Sequence, residues 1–110
     1  IFYENYFAAR ANQKYTNPKT GFESYFLTFD SSPRMELMQR PDIDGTQTAE
    51  QYVGYAHLAF SVGSKEGVDR LTQRLAEDGC QVVSGPRTTG DGYYESVVLD
   101  PDGNRVEITK

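Results

Sequence analysis

Leu99-Asp100-Pro101-Asp102-Gly103-Asn104-Arg105-Val106-Glu107-Ile108 decides the reading of this chain. Asp-Pro-Asp-Gly-Asn is a strong turn signal, and the alternating Arg-Val-Glu-Ile after it reads as a strand with one buried face. The strand before the turn is expected over Tyr93 to Leu99 and the strand after it over Arg105 to Thr109. A shorter strand is expected at Gln81 to Ser84. Ahead of that lies a helix that Ser64 can cap, carrying Val68, Leu71 and Leu75 on one stripe and stopped by Gly79. Tyr55 to Val62 completes the set as a strand, giving strand, helix, strand, strand, strand for residues 54–110.

The first part of the chain repeats this pattern. Phe22-Glu23-Ser24 leads through a strand to Asp30 and Arg34-Met35-Glu36-Leu37, as Tyr94-Glu95-Ser96 leads to Asp100 and Arg105-Val106-Glu107-Ile108. Aligning Glu23 with Glu95 and Glu36 with Glu107 makes the two strand pairs equal in length to within one residue. Extended stretches are expected at Ala11 to Tyr15, Glu23 to Phe29 and Arg34 to Gln39, after a short aromatic helix in the first seven residues. That helix has no cap ahead of it and is expected to continue upstream of Ile1. His57 stands 50 residues before Glu107, and a position 50 before Glu36 falls ahead of Ile1, so the opening strand of the first module is expected outside this sequence. The resulting scheme is one α+β domain over residues 1–110: module one at 1–40, a solvated linker at 41–53, and module two at 54–110.

Alternation places Ala56, Leu58, Phe60 and Val62 on the face toward the helix and turns His57 to the other. It likewise separates Glu36 from Met35 and Leu37, and Glu107 from Val106 and Ile108. Taken singly, His57 reads as a hydrogen-bonded strand histidine, and each glutamate as a solvated charge. The equivalent placement of all three is what joins them: if the sheets curl into a shared cup, Glu36, His57 and Glu107 converge as ligands for a divalent ion such as Zn²⁺, Ni²⁺, Co²⁺ or Mn²⁺. Cys80 lies just past the helix, away from this set, and as the lone cysteine it has no partner for an internal disulfide.

Composition narrows the partners. A net charge of −5, with no run of Lys or Arg, argues against nucleic acid and anionic membrane surfaces. No apolar stretch approaches the length of a membrane span, and a cytoplasmic location is expected.

Gly54 to Val62, the helix after it and Leu99 to Ile108 resemble the vicinal oxygen chelate superfamily, which includes glyoxalase I-like enzymes, bleomycin resistance proteins and extradiol dioxygenases. The resemblance implies paired βαβββ modules forming cupped mixed sheets around a metal. Its glyoxalase-like members take a His and a Glu from each module; Glu36, His57 and Glu107 fall on three of these positions, and the first-strand His has no counterpart here. Zinc or nickel would be the ion, and the implied activity is that of a lyase or isomerase acting on a small carbonyl or hemithioacetal substrate. Glu107 would be the general base, with Glu36 taking that role for a substrate of opposite handedness. The alternatives are a metal-free drug- or toxin-sequestering protein, for which eight tyrosines and the acidic charge speak, and a ring-cleaving dioxygenase, against which the single histidine speaks. The resemblance also implies a homodimer, and an unpaired sheet edge would invite one. Lys14 and Asn17 lie near the region where such enzymes hold peptide carboxylates, but read better as a solvated strand end and a turn residue. Tyr93 and Tyr94 could line a pocket, although strand-start packing suits them better, and Glu23 and Glu95 carry no assigned role.

Overall fold

The computed structural model describes residues 1–30, 33–42 and 55–110, so most of the expected linker lies outside the described residues. The chain divides into two compact units, Ile1–Gly45 and Thr46–Lys110.

In the second unit, β5 (Leu58–Ser61), α2 (Lys65–Glu77), β6 (Val82–Thr88), β7 (Tyr94–Leu99) and β8 (Arg105–Thr109) follow in the βαβββ order. The sheet order is β5-β8-β7-β6, with β5 parallel to β8 and the other pairs antiparallel. Ser64 caps α2 by accepting from the Gly67 N–H at 3.0 Å, and Gly79 follows the helix at φ +85°, a conformation that glycine adopts without strain. Val68, Leu75, Val98, Val106 and Ile108 are fully buried and form the core between helix and sheet. The helix stripe differs from expectation at one place: Thr72 is buried and Leu71 only partly so. The Thr72 hydroxyl donates to the Val68 carbonyl at 2.7 Å and accepts from the Ser96 hydroxyl at 2.6 Å, so two polar groups enter the core as a satisfied pair.

Strand limits shift where the ladder, rather than propensity, sets them. The expected strand from Tyr55 begins only at Leu58, because its first rung is Leu58 with Val106, next to the end of β8 at Arg105. The expected Gln81–Ser84 strand runs on to Thr88 through two register shifts that add residues to β6. The turn between β7 and β8 is built on Asp100, which accepts from Asp102 N–H (3.0 Å), Asn104 N–H (2.8 Å) and Asn104 Nδ2 (3.0 Å). Asp100 is buried, so Asp100→Ala is expected to cost about 1.5–3 kcal/mol, the range for hydrogen bonds to a charged group. Urea unfolding of wild type and variant measures it.

The first unit holds α1 (Phe2–Phe7), β1 (Arg10–Ala11), β2 (Tyr15–Thr16), β3 (Glu23–Thr28) and β4 (Arg34–Gln39). The continuous strand expected at Ala11–Tyr15 is broken into β1 and β2, both antiparallel to β3. Asn12 causes the break: its side chain accepts from Phe26 N–H at 2.8 Å while its own N–H donates to Phe26 C=O at 3.0 Å, so a side chain takes the place of a ladder acceptor.

The ladders also fix the phase of the repeat. Phe26 pairs with Glu36 and Val97 with Glu107, so both strand pairs align at one constant offset of 71 residues. At that offset the counterpart of Glu95 is Ser24, not Glu23, and the Phe-Glu-Ser and Tyr-Glu-Ser likeness is out of register by one residue. One step along a strand reverses the face. Glu23 therefore stands on the face opposite Glu36, whereas Glu95 shares the face of Glu107.

Candidate functional site

Alternation along the second sheet puts Val106, Ile108, Ser96 and Val98 toward α2 and leaves Glu95, Val97, Glu107 and Thr109 on the opposite face. His57, just ahead of β5, joins that face: its Nε2 lies 3.4 Å from Glu107 Oε2. The imidazole is 43% exposed and the carboxylate 16%, so solvent reaches the pair from the histidine side.

Glu107 is surrounded unevenly. Burial, together with the negative charge of Glu95, raises its pKa above the ordinary 4.5, while His57 and Arg87 pull the other way. Glu95, 13% exposed, is held in turn by Arg87, whose Nη2 is 3.5 Å from Glu95 Oε1. Thr109 stands directly across the ladder from Glu95, and its buried hydroxyl oxygen has no hydrogen-bond partner among the described residues.

The two donors have the spacing of two ligands of one divalent ion. Two donors each about 2.1 Å from a tetrahedral centre stand about 3.4 Å apart, which is the observed separation of His57 Nε2 and Glu107 Oε2, 3.4 Å. An imidazole with a carboxylate suits ions of zinc or nickel character. Among the described residues, no three His, Cys, Asp or Glu side chains gather closely enough to hold an ion alone, so His57 and Glu107 form a partial set.

Glu36 belongs to the first unit, exposed on β4 opposite Phe26. Lys14 is engaged by Glu23 at 3.0 Å, and Glu23 also accepts from Thr16 at 3.4 Å. Asn17 closes a turn by accepting from the N–H groups of Lys19 (3.0 Å) and Thr20 (3.3 Å), the role its place before Pro18 suggested. Tyr94 is tied to α2: its hydroxyl donates to Asp69 Oδ1 at 2.6 Å and Lys65 sits over its ring, whereas Tyr93 is exposed.

Sequence reasoning named Glu95 without assigning it a role and left out Arg87. The place of Glu95 on the face of Glu107 could have been found by counting rungs back from the Asp100–Asn104 turn. Arg87 could not, because its position depends on the added residues in β6.

The second unit is thus a βαβββ module with a His–Glu pair on the face away from its helix. The sequence model of the Glyoxalase/Bleomycin resistance protein/Dioxygenase superfamily matches residues 1–108, and the chain belongs to that superfamily. Its fold is similar to that of a glyoxalase family protein from Enterococcus faecalis, with a TM-score of 0.76 and 22% identity over 99% of this chain and 83% of that one. Glyoxalase I from Zea mays gives a TM-score of 0.76 at 21% identity, over 98% of this chain and 38% of the maize chain. A possible glyoxalase from Bacillus cereus gives 0.71 at 27% identity, over 99% of this chain and 83% of that one. Among curated proteins, an uncharacterized Bacillus subtilis (strain 168) protein, YqjT, is 41% identical over 59 residues. That segment is 51% of this chain and 46% of YqjT, so the match spans about half of each.

Proposed function

We propose that this chain is a metal-dependent lyase or isomerase of glyoxalase I type, acting on a small carbonyl or hemithioacetal substrate. The observation that carries the reading is the 3.4 Å approach of His57 and Glu107 on the face away from the helix. His57 and Glu107 would hold a divalent ion, zinc or nickel, and Glu36 is the further ligand that the sequence reading assigns. When bound, such an ion would supply Lewis-acid character beside the substrate oxygens.

The remaining chemistry belongs to the chain. Glu107 is the general base that takes the proton next to the carbonyl at a carboxylate oxygen, and its raised pKa brings it closer to the range in which a carboxylate works well near neutral pH. Glu36 is the alternative base for a substrate of opposite handedness. His57 fixes Glu107 from the solvent side. The working form would be a homodimer, in which case light scattering at micromolar concentration gives twice the monomer mass; a monomer counts against it.

The test is metal content of the purified protein followed by solvent hydrogen exchange at the carbon next to the carbonyl of candidate hemithioacetals. Stoichiometric zinc or nickel with exchange supports the reading; metal-free protein without exchange sinks it.

A further inference from the structure

The ladder between β6 and β7 is irregular where it matters for Glu107. Ser84 stands opposite Val97, yet the next rung joins Arg87 to Glu95, three residues along β6 for two along β7. In an unbroken ladder Pro86 would face Glu95. The added residue, next to Gly85-Pro86, places Arg87 there instead, and re-aiming a side chain is what such bulges do. Its guanidinium reaches Glu95 at 3.5 Å. Glu95 is diagonal to Glu107 across the β7–β8 ladder, a separation that long side chains bridge, and its negative charge bears on the Glu107 carboxyl. Arg87, Glu95, Glu107 and His57 thus follow one another across the sheet face, with the two least exposed members, both carboxylic, in the middle. Carboxylates packed together and largely removed from water are costly unless a cation or proton compensates them. Arg87 supplies that compensation on the side away from His57.

We propose that Glu95, held in place by Arg87, is a positioning residue that fixes the orientation of the Glu107 carboxylate, keeping Oε2 turned toward His57. The inference rests on the reading of His57 and Glu107 as ligands of a divalent ion. Outer partners of this kind hold a ligating carboxylate in one rotamer, and their removal lowers metal affinity by about 10–100-fold.

The test is Co²⁺ titration of the metal-free full chain, followed by calorimetry and by the visible absorption of bound cobalt. Wild type is expected to bind. Glu95→Ala is expected to bind about 10–100-fold more weakly, with a changed cobalt spectrum as Glu107 becomes free to reorient. Glu95→Gln, which keeps the length and polarity of the side chain beside Glu107, restores most of the affinity and the wild-type spectrum. Arg87→Met leaves Glu95 in place but unheld, and weakens binding severalfold even should Glu95→Ala fail to fold. Glu95→Ala and Glu95→Gln binding as tightly as wild type, equal losses in the two, or an Arg87→Met variant indistinguishable from wild type would each overturn the inference while leaving the metal reading standing. Wild type that takes up no Co²⁺ overturns the metal reading and this inference with it.

Discussion

Glu107→Gln is expected to remove divalent-ion binding and, at neutral pH, to make the metal-free protein more stable than wild type. The first effect follows from the loss of a charged ligand, and should exceed the about 10–100-fold that outer partners cost. The second follows from the direction of the Glu107 pKa. Burial and the neighbouring Glu95 raise it above 4.5 in the folded chain, so there is a pH window in which the unfolded chain has released this proton and the folded chain has not. Within that window the native state binds more protons, and stability falls as pH rises. Above the folded pKa the whole penalty is present; below 4.5 it vanishes. Glutamine has no proton to lose. Thermal melts in chelator should therefore coincide in acid and separate toward neutral pH, with Glu107→Gln the higher. Added zinc should raise the wild-type midpoint and leave the variant unmoved, since binding requires the ionised carboxylate. A variant that melts below wild type at neutral pH in chelator would show that the charge is not a burden in the folded chain.

Much of the second unit is legible in its residues because local chemistry and tertiary context agree there. Ser64 and Gly79 bracket α2, and Asp100 to Asn104 fix the hairpin that carries Glu107, so β8 lies where alternation puts it. The reading fails where a single side chain or an added residue redirects the backbone. Asn12 interrupts a run of extended residues by offering its own oxygen to Phe26. Gly85-Pro86 lies in the bulged part of β6, and nothing in the local pattern counts the extra residues. The repeat is visible, yet its phase is not: identical Glu-Ser pairs draw the eye to an alignment one residue off, and only hydrogen-bonded rungs distinguish faces. The same limit applies to the site. His57 and Glu107 emerge from period-two alternation, whereas the support behind Glu107 depends on register. Thr72 eluded the reading because a polar residue on an apolar stripe is buried only when a partner such as Ser96 awaits it.

Ile108→Ala should destabilise the protein by about 2–5 kcal/mol, the range for emptying a fully packed core position. Ile108 is wholly buried, paired with Ser96 on one side and Phe60 on the other, on the sheet face toward α2. Against a total stability of about 5–15 kcal/mol the loss is severe, and a midpoint drop on the order of 10 °C or more follows for a domain of this size. The side chain of the preceding residue, Glu107, faces the other way, so the cavity forms without touching the contact to His57. An ion bound by that pair stabilises only the folded chain, by about 2.7 kcal/mol at a hundredfold excess over Kd. Excess zinc should therefore return much of the lost midpoint to Ile108→Ala and none to the double variant that also carries Glu107→Gln. Equal recovery in both would place the ion elsewhere on the chain. No recovery in either would mean that β8 does not hold an ion, and that its two faces serve only the fold.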